Sequence, residues 1–214
     1  MTPVIFDLDG TLIDSAPDIA AAANAMLAEQ GKAALDLATV TSFVGNGVSK
    51  LVERVIGATG LDMADHAVLT ADVARHMHRG DATLSRPYPG VLTALRALQA
   101  QGTPMAICTN KPHGPARAIV QHLELDGFFA TVIGGDSLPT RKPDPAMLRA
   151  AMVELGADAC AYVGDSEVDA ETAQNAAQPF FLFTEGYRKT PVAQIPHTVA
   201  FADFAQLPLL LTQN

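Results

Sequence analysis

Residues 4–15 read Val-Ile-Phe-Asp-Leu-Asp-Gly-Thr-Leu-Ile-Asp-Ser, and this stretch sets the frame for the whole chain. Val4–Leu8 is apolar apart from Asp7 and shows no alternation of wet and dry positions. Such a run suits a strand covered on both faces. Asp7 and Asp9, separated by one residue, then fall at the carboxyl end of that strand, where α/β sheets place their ligands. An ordinary strand closing in an Asp-Gly turn would look the same over these residues alone. The rest of the chain has to decide.

Five further runs, Pro104–Thr109, Ala130–Ile133, Ala159–Val163, Pro179–Phe183 and Thr198–Phe201, are short and mostly apolar throughout. Helical patterns at Gly90–Gln101, Gly114–Leu123, Pro145–Leu155 and Glu167–Ala177 separate them. Strand then helix, repeated, predicts an α/β fold: a doubly wound parallel sheet. The first gap is far longer than a crossover needs. Ser15-Ala-Pro-Asp18 reads as a helix N-cap with Pro in the first turn and an acid three residues on, and Gly31 as a stop. Val48, Leu51, Val52, Val55 and Ile56 make one apolar stripe of a second helix, and Leu61–Arg79 adds another helical stretch. Turn residues at Ser85–Gly90 bring the chain back. The expected organisation is a catalytic core of residues 1–14 and 87–214 with an inserted α-helical cap, residues 15–86.

The 214 residues are 49% hydrophobic, which is ample for a full core. A net charge of −9 argues against nucleic acid or an anionic membrane as partner. Cys108 and Cys160 both sit in apolar runs, so a disulfide framework is not expected and a reducing, cytoplasmic setting fits. The strand-like run begins at once, so no signal peptide is expected ahead of it, and no apolar stretch is long enough to span a bilayer.

Three later segments also end a strand or open a helix with polar groups. They are Cys108-Thr109-Asn110-Lys111, Thr140-Arg141-Lys142-Pro143-Asp144-Pro145 and Val163-Gly164-Asp165-Ser166-Glu167-Val168-Asp169. Two acids, a hydroxyl with an amide, a lysine and further acids suit phosphoryl transfer onto a carboxylate. Like charges about 4 Å apart repel by roughly 4 kcal/mol at an effective dielectric near 20, so the approach of a phosphate calls for a cation. Oxygen ligands from Asp7 and Asp165 are what Mg2+ prefers.

With these four segments in order and suitably spaced over essentially the whole chain, the sequence resembles the haloacid dehalogenase superfamily. The resemblance implies that Asp7 is the phosphorylated nucleophile and a metal ligand. It implies that Asp9 is the general acid and then the base, with its carbonyl facing the metal. Thr109 and Asn110 would hold the phosphoryl oxygens, and Lys142 would offset charge shared by the phosphate and Asp7. Asp165 would bind the metal, and Asp169 would complete the metal site, acting more from behind it. A strand order placing the fourth strand beside the first is also implied. Within the superfamily, the cap length, Gly45-Asn46-Gly47 and the spacing look most like enzymes acting on phosphoglycolate.

A small phosphorylated metabolite is therefore the expected partner, with the protein a monomer or homodimer. The core motifs grip only the phosphoryl group, so specificity should come from elsewhere. The turn at Gly47 opens a helix with free N–H groups, and Lys50 and Arg54 follow it. Those three residues are candidates for a second anionic group of the substrate, against the plainer reading of a solvated helix face. A sugar-phosphate phosphatase or mutase, or a pyrophosphatase, remains the alternative within the superfamily. A phospho-Asp signalling receiver is the alternative outside it, although receivers lack an inserted cap.

Overall fold

The computed structural model describes residues 2–79 and 84–213, without the side chains of residues 78 and 79. The strands in chain order are β1 (Val4–Phe6), β2 (Ile13–Asp14), β3 (Arg86–Pro87), β4 (Met105–Cys108), β5 (Thr131–Ile133), β6 (Ala161–Gly164), β7 (Phe180–Phe183) and β8 (Val199–Phe201). The α-helices are α1 (Ala16–Glu29), α2 (Leu37–Phe43), α3 (Val48–Thr59), α4 (His66–Arg79), α5 (Val91–Ala100), α6 (His113–His122), α7 (Ala146–Glu154), α8 (Glu167–Ala176) and α9 (Leu207–Gln213). By contact the chain divides into two compact units, Met1–Asp14 with Pro87–Asn214, and Ser15–Arg86.

All six apolar runs become strands of one sheet in the order β5-β4-β1-β6-β7-β8, while β2 and β3 form a separate pair. Every pairing within the large sheet is parallel. The continuous apolar runs thus meant what they should: β1, β4, β6 and β7 are buried along their whole length. On one face Ile5, Ala106, Tyr162 and Leu182 join Met147, Leu148, Ala151 and Ala173 in a single buried cluster. Farther along, Phe183, Phe201 and Phe204 pack in tilted and edge-on pairs with centroids 4.8–5.6 Å apart, and Tyr88 meets Phe183 edge-on at 5.0 Å.

The register positions the chemistry. Phe6 of β1 lies opposite Ile107 on one side and Val163 on the other. Asp7, the Cys108–Asn110 strand end and Gly164-Asp165 therefore leave the sheet side by side. Because β1 lies between β4 and β6, the chain switches direction across the sheet here, the position at which such sheets bind their ligands.

In the Ser15–Arg86 unit, α3 buries Leu51, Val52, Val55 and Ile56, and α4 contributes Leu69 and Val73. Two local expectations change. Ser15 does flank α1, but its side chain makes no capping bond. Asp18, placed as the acid of that cap, instead accepts from the backbone N–H and hydroxyl of Ser85 at 2.7 and 2.5 Å. A buried hydroxyl and an N–H that need an acceptor outcompete a helix terminus that water can reach. The helix α2 also had no reading from sequence, since Thr39, Val40 and Thr41 are poor helix formers. It is started by Asp36, whose carboxylate caps the N–H of Thr39 at 2.7 Å.

Candidate active site

Asp7, Asp165 and Asp169, all buried, each bring a carboxylate oxygen within 4.8 Å of the others. Asp7 follows β1 directly; Asp165 follows β6; Asp169 lies in the first turn of α8. Lys142 faces them from the loop before α7, itself only 4% exposed. Its Nζ lies 2.9 Å from Asp7 Oδ1, 2.7 Å from Asp169 Oδ1 and 3.0 Å from the hydroxyl of Tyr162. It donates to Asp169 and Tyr162, while Asp7 Oδ1 stands within ion-pair distance but outside hydrogen-bond geometry.

Asp169 is fully committed. Its Oδ1 accepts from Lys142 and from the Tyr162 hydroxyl at 2.9 Å, and its Oδ2 from the Ser166 hydroxyl at 2.6 Å and the Ser166 N–H at 3.2 Å. Four donors meet four lone-pair positions. Asp165 has more to offer. Its Oδ1 accepts from Thr11 at 2.8 Å and its Oδ2 from the Tyr187 N–H at 2.6 Å, one bond on each oxygen.

Electrostatics follow the burial. Burial foremost, with Asp169 adding repulsion and Lys142 opposing, pushes the Asp7 carboxyl up to about 7. Burial, then the charges of Asp169 and Asp7, raise Asp165 well above the usual carboxylate range. For Asp169 burial is again the strongest influence, but the Lys142 charge and the bonds from Lys142, Ser166 and Tyr162 overcome it and hold the group low. Burial also lifts the Cys108 thiol to about 12, so it stays a protonated core group. Three carboxylates against one ammonium leave a formal −2, the charge a divalent cation would balance. Buried, oxygen-only and doubly negative, the cluster fits a hard metal ion.

Around it, Thr109 is buried at the end of β4, and Asn110 donates from Nδ2 to the Lys142 carbonyl at 3.2 Å. Asp9 stands two residues beyond Asp7, with Lys111 Nζ at 3.1 and 3.2 Å from its two oxygens. The four core segments singled out from sequence are thus brought together. Gly47, Lys50 and Arg54 belong to the other unit. There Lys50 pairs with Glu53 at 2.5 Å, and Arg54 donates to the Phe43 carbonyl at 2.6 Å and to Asn46 Oδ1 at 2.9 Å. Arg54 therefore braces the Gly45–Gly47 turn.

The loop Gly186–Lys189, to which none of the four segments points, also belongs to the site. It holds Asp165 through the Tyr187 N–H, and the Tyr187 hydroxyl donates to Asp14 Oδ1 at 2.7 Å. The available signal was positional, because a loop leaving β7 must pass the end of its neighbour β6. Gly10 is the other half of this clamp. It has φ +88°, and a Cβ there would stand 2.6 Å from Asp165 Oδ2. Gly10→Ala should cost about 2–4 kcal/mol from left-handed strain plus overpacking. Calorimetric melting should show this as a fall of roughly 4–16 °C; an unchanged melting temperature would remove the clamp.

Residues 4–183 match the haloacid dehalogenase-like hydrolase family. The chain belongs to that family. Within this haloacid dehalogenase-like group, it is 50% identical to a phosphoglycolate phosphatase of Cereibacter sphaeroides, covering 99% of this chain and 98% of that one. A phosphoglycolate phosphatase of Rhodospirillum rubrum is 45% identical over 95% and 88% of the two chains. A crystal structure described as that of a predicted phosphoglycolate phosphatase from Haemophilus somnus superposes with TM-score 0.93 at 30% identity, covering 99% and 98%. No helix of the described residues is long and apolar enough to cross a membrane.

Proposed function

We propose that this haloacid dehalogenase-like hydrolase is a Mg2+-dependent phosphomonoesterase that converts 2-phosphoglycolate to glycolate and phosphate through an aspartyl-phosphate on Asp7. The observation that carries the reading is the buried Asp7–Asp165–Asp169 cluster with Lys142 set against it. The substrate assignment is supported by the phosphoglycolate phosphatases to which the chain is half identical over its length.

Asp7 and Asp165, with the carbonyl of Asp9, would hold the ion, and the ion would supply charge neutralisation for an incoming phosphate. Asp169, with its lone pairs already used, supports the site by fixing Lys142 and the Ser166 turn. In the first half-reaction an Asp7 oxygen forms a bond to phosphorus as the ester oxygen leaves and takes a proton from Asp9. In the second, Asp9 takes a proton from water, whose oxygen attacks phosphorus and regenerates the Asp7 carboxylate. Thr109 and Asn110 bind phosphoryl oxygens, and Lys142 keeps positive charge beside them through both halves. We assign Ser15–Arg86 as the helical cap. A reducing cytoplasm suits two buried free thiols.

Asp9→Asn tests the two-step scheme. Loss of the acid–base group should slow turnover roughly 10^2- to 10^4-fold. Since the amide can activate no water, the phosphorylated protein should accumulate and carry one phosphoryl group by intact-mass measurement. Slow turnover with no trapped adduct under acid quench would count against a covalent route. A panel of phosphomonoesters ranked by kcat/KM tests the substrate, and a sugar phosphate at the head of that ranking would replace phosphoglycolate.

A further inference from the structure

We infer that Lys111 is the cation that takes the carboxylate of the substrate and so sets the preference for a carboxylated ester. The inference rests on the phosphoglycolate reading and deepens it.

The substrate's own skeleton limits where that cation can be. In phosphoglycolate a single methylene separates the ester oxygen from the carboxylate. The acid that protonates the ester oxygen must come within about 2.6–3.2 Å of it. Any cation serving the carboxylate must therefore lie within two hydrogen-bond lengths plus that short skeleton of the acid, about 9 Å at most. Lys111 meets this condition through its paired contacts of 3.1 and 3.2 Å to Asp9. It follows Thr109 and Asn110 directly, so it projects from the loop that grips the phosphoryl group. Its side chain is only 7% exposed, which shields the interaction from water.

Prior commitment separates it from Lys142, the other buried cation beside these acids. Lys142 already donates to Asp169 and Tyr162 and is paired with Asp7 at 2.9 Å. Lys111 presents three N–H groups to one carboxylate, at most one to each oxygen of Asp9, so a third remains for a further acceptor. A carboxylate arriving beside Asp9 is the acceptor whose charge suits it. Lys111 then bridges the acid and the leaving group's anionic end, which fixes the ester oxygen against Asp9. Phosphate esters without a carboxylate lack that anchor.

The test compares kcat/KM for phosphoglycolate with that for ethyl phosphate, which has the same number of carbons and no carboxylate. Whatever Lys111→Met does to Asp9 affects both esters and cancels in the ratio. Losing one charge-assisted contact should lower the ratio roughly 10- to 150-fold. Lys111→Gln should do the same, and Lys111→Arg should preserve most of the ratio. Binding to protein carrying Asp7→Asn, followed by calorimetry with the same two esters, should show the same selective weakening without turnover. A wild-type ratio retained in Lys111→Met and Lys111→Gln overturns the assignment, as does a collapse produced by Arg54→Ala or Lys50→Ala with the Lys111 variants intact. A wild type that hydrolyses both esters equally refutes the substrate reading and the Lys111 assignment together, whereas a retained ratio refutes only Lys111.

Discussion

Asp7→Asn is expected to reduce turnover by at least about 10^4-fold, the scale of removing a covalent nucleophile, while leaving the protein folded. The amide oxygen is a poor nucleophile and cannot form the acyl-phosphate. The same variant carries a second signature, in stability. Asp7 has its carboxyl raised from 3.8 to about 7 in the folded chain, chiefly by burial. Between those values the folded state binds more protons than the unfolded one. The group's contribution to stability is therefore complete below its unfolded value and is lost as pH rises through the folded value. An amide has no such dependence. Without metal, Asp7→Asn should gain melting temperature relative to wild type as pH is raised from about 5 to 8. Wild-type-like hydrolysis by the purified variant would end the proposed mechanism, and a difference in melting temperature that is flat with pH would contradict the burial of Asp7.

Chelation should be as severe as removing the nucleophile. Asp7, Asp165 and Asp169 share one buried space with a single ammonium, and a phosphate dianion would add to that negative charge. Activity is expected to vanish with a strong chelator and to return with Mg2+, but poorly with Ca2+, whose longer and looser oxygen coordination misplaces the reacting groups. Thermal melting supplies a readout independent of turnover. Because the ion competes with protons for Asp7 and Asp165, both raised, the Mg2+-induced gain in melting temperature should be small near pH 5 and grow toward pH 8. Full activity in metal-stripped protein, or a gain that does not change with pH, would show that the acids have another purpose.

The parts of this molecule that could be read in advance are those whose cause is local. Continuous apolar runs such as Met105–Cys108 and Phe180–Phe183 can hardly be anything but buried strands; all six runs became strands, and the four inner ones are buried throughout. Asp7, Thr109, Lys142 and Asp165 stand at strand ends or in loops within short polar segments, where their residue types speak for themselves. What escaped reading depends on partners distant in sequence. Tyr162 sits inside an apolar run and reads as core, yet its hydroxyl joins Lys142 and Asp169. Tyr187 is 22 residues from the carboxylate that it holds. Asp18 looked like part of a helix cap until Ser85, 67 residues away, claimed it. Lys111 sits in one of the four polar segments without a visible role, because only the fold shows that Asp9, 102 residues earlier, is its partner.

The fixation of Lys142 has a consequence for the temperature dependence of the reaction. A lysine side chain free in solvent carries about 2 kcal/mol of rotamer entropy. Here, with Asp7, Asp169 and Tyr162 around the ammonium, that freedom is lost once, when the chain folds. It is not lost again at each catalytic cycle, so the ordering of this charge belongs to the free energy of folding and not to the activation entropy of turnover. Loosening the ammonium by Tyr162→Phe moves part of that ordering into the reaction itself, where an Eyring plot of kcat would register it as a more negative intercept.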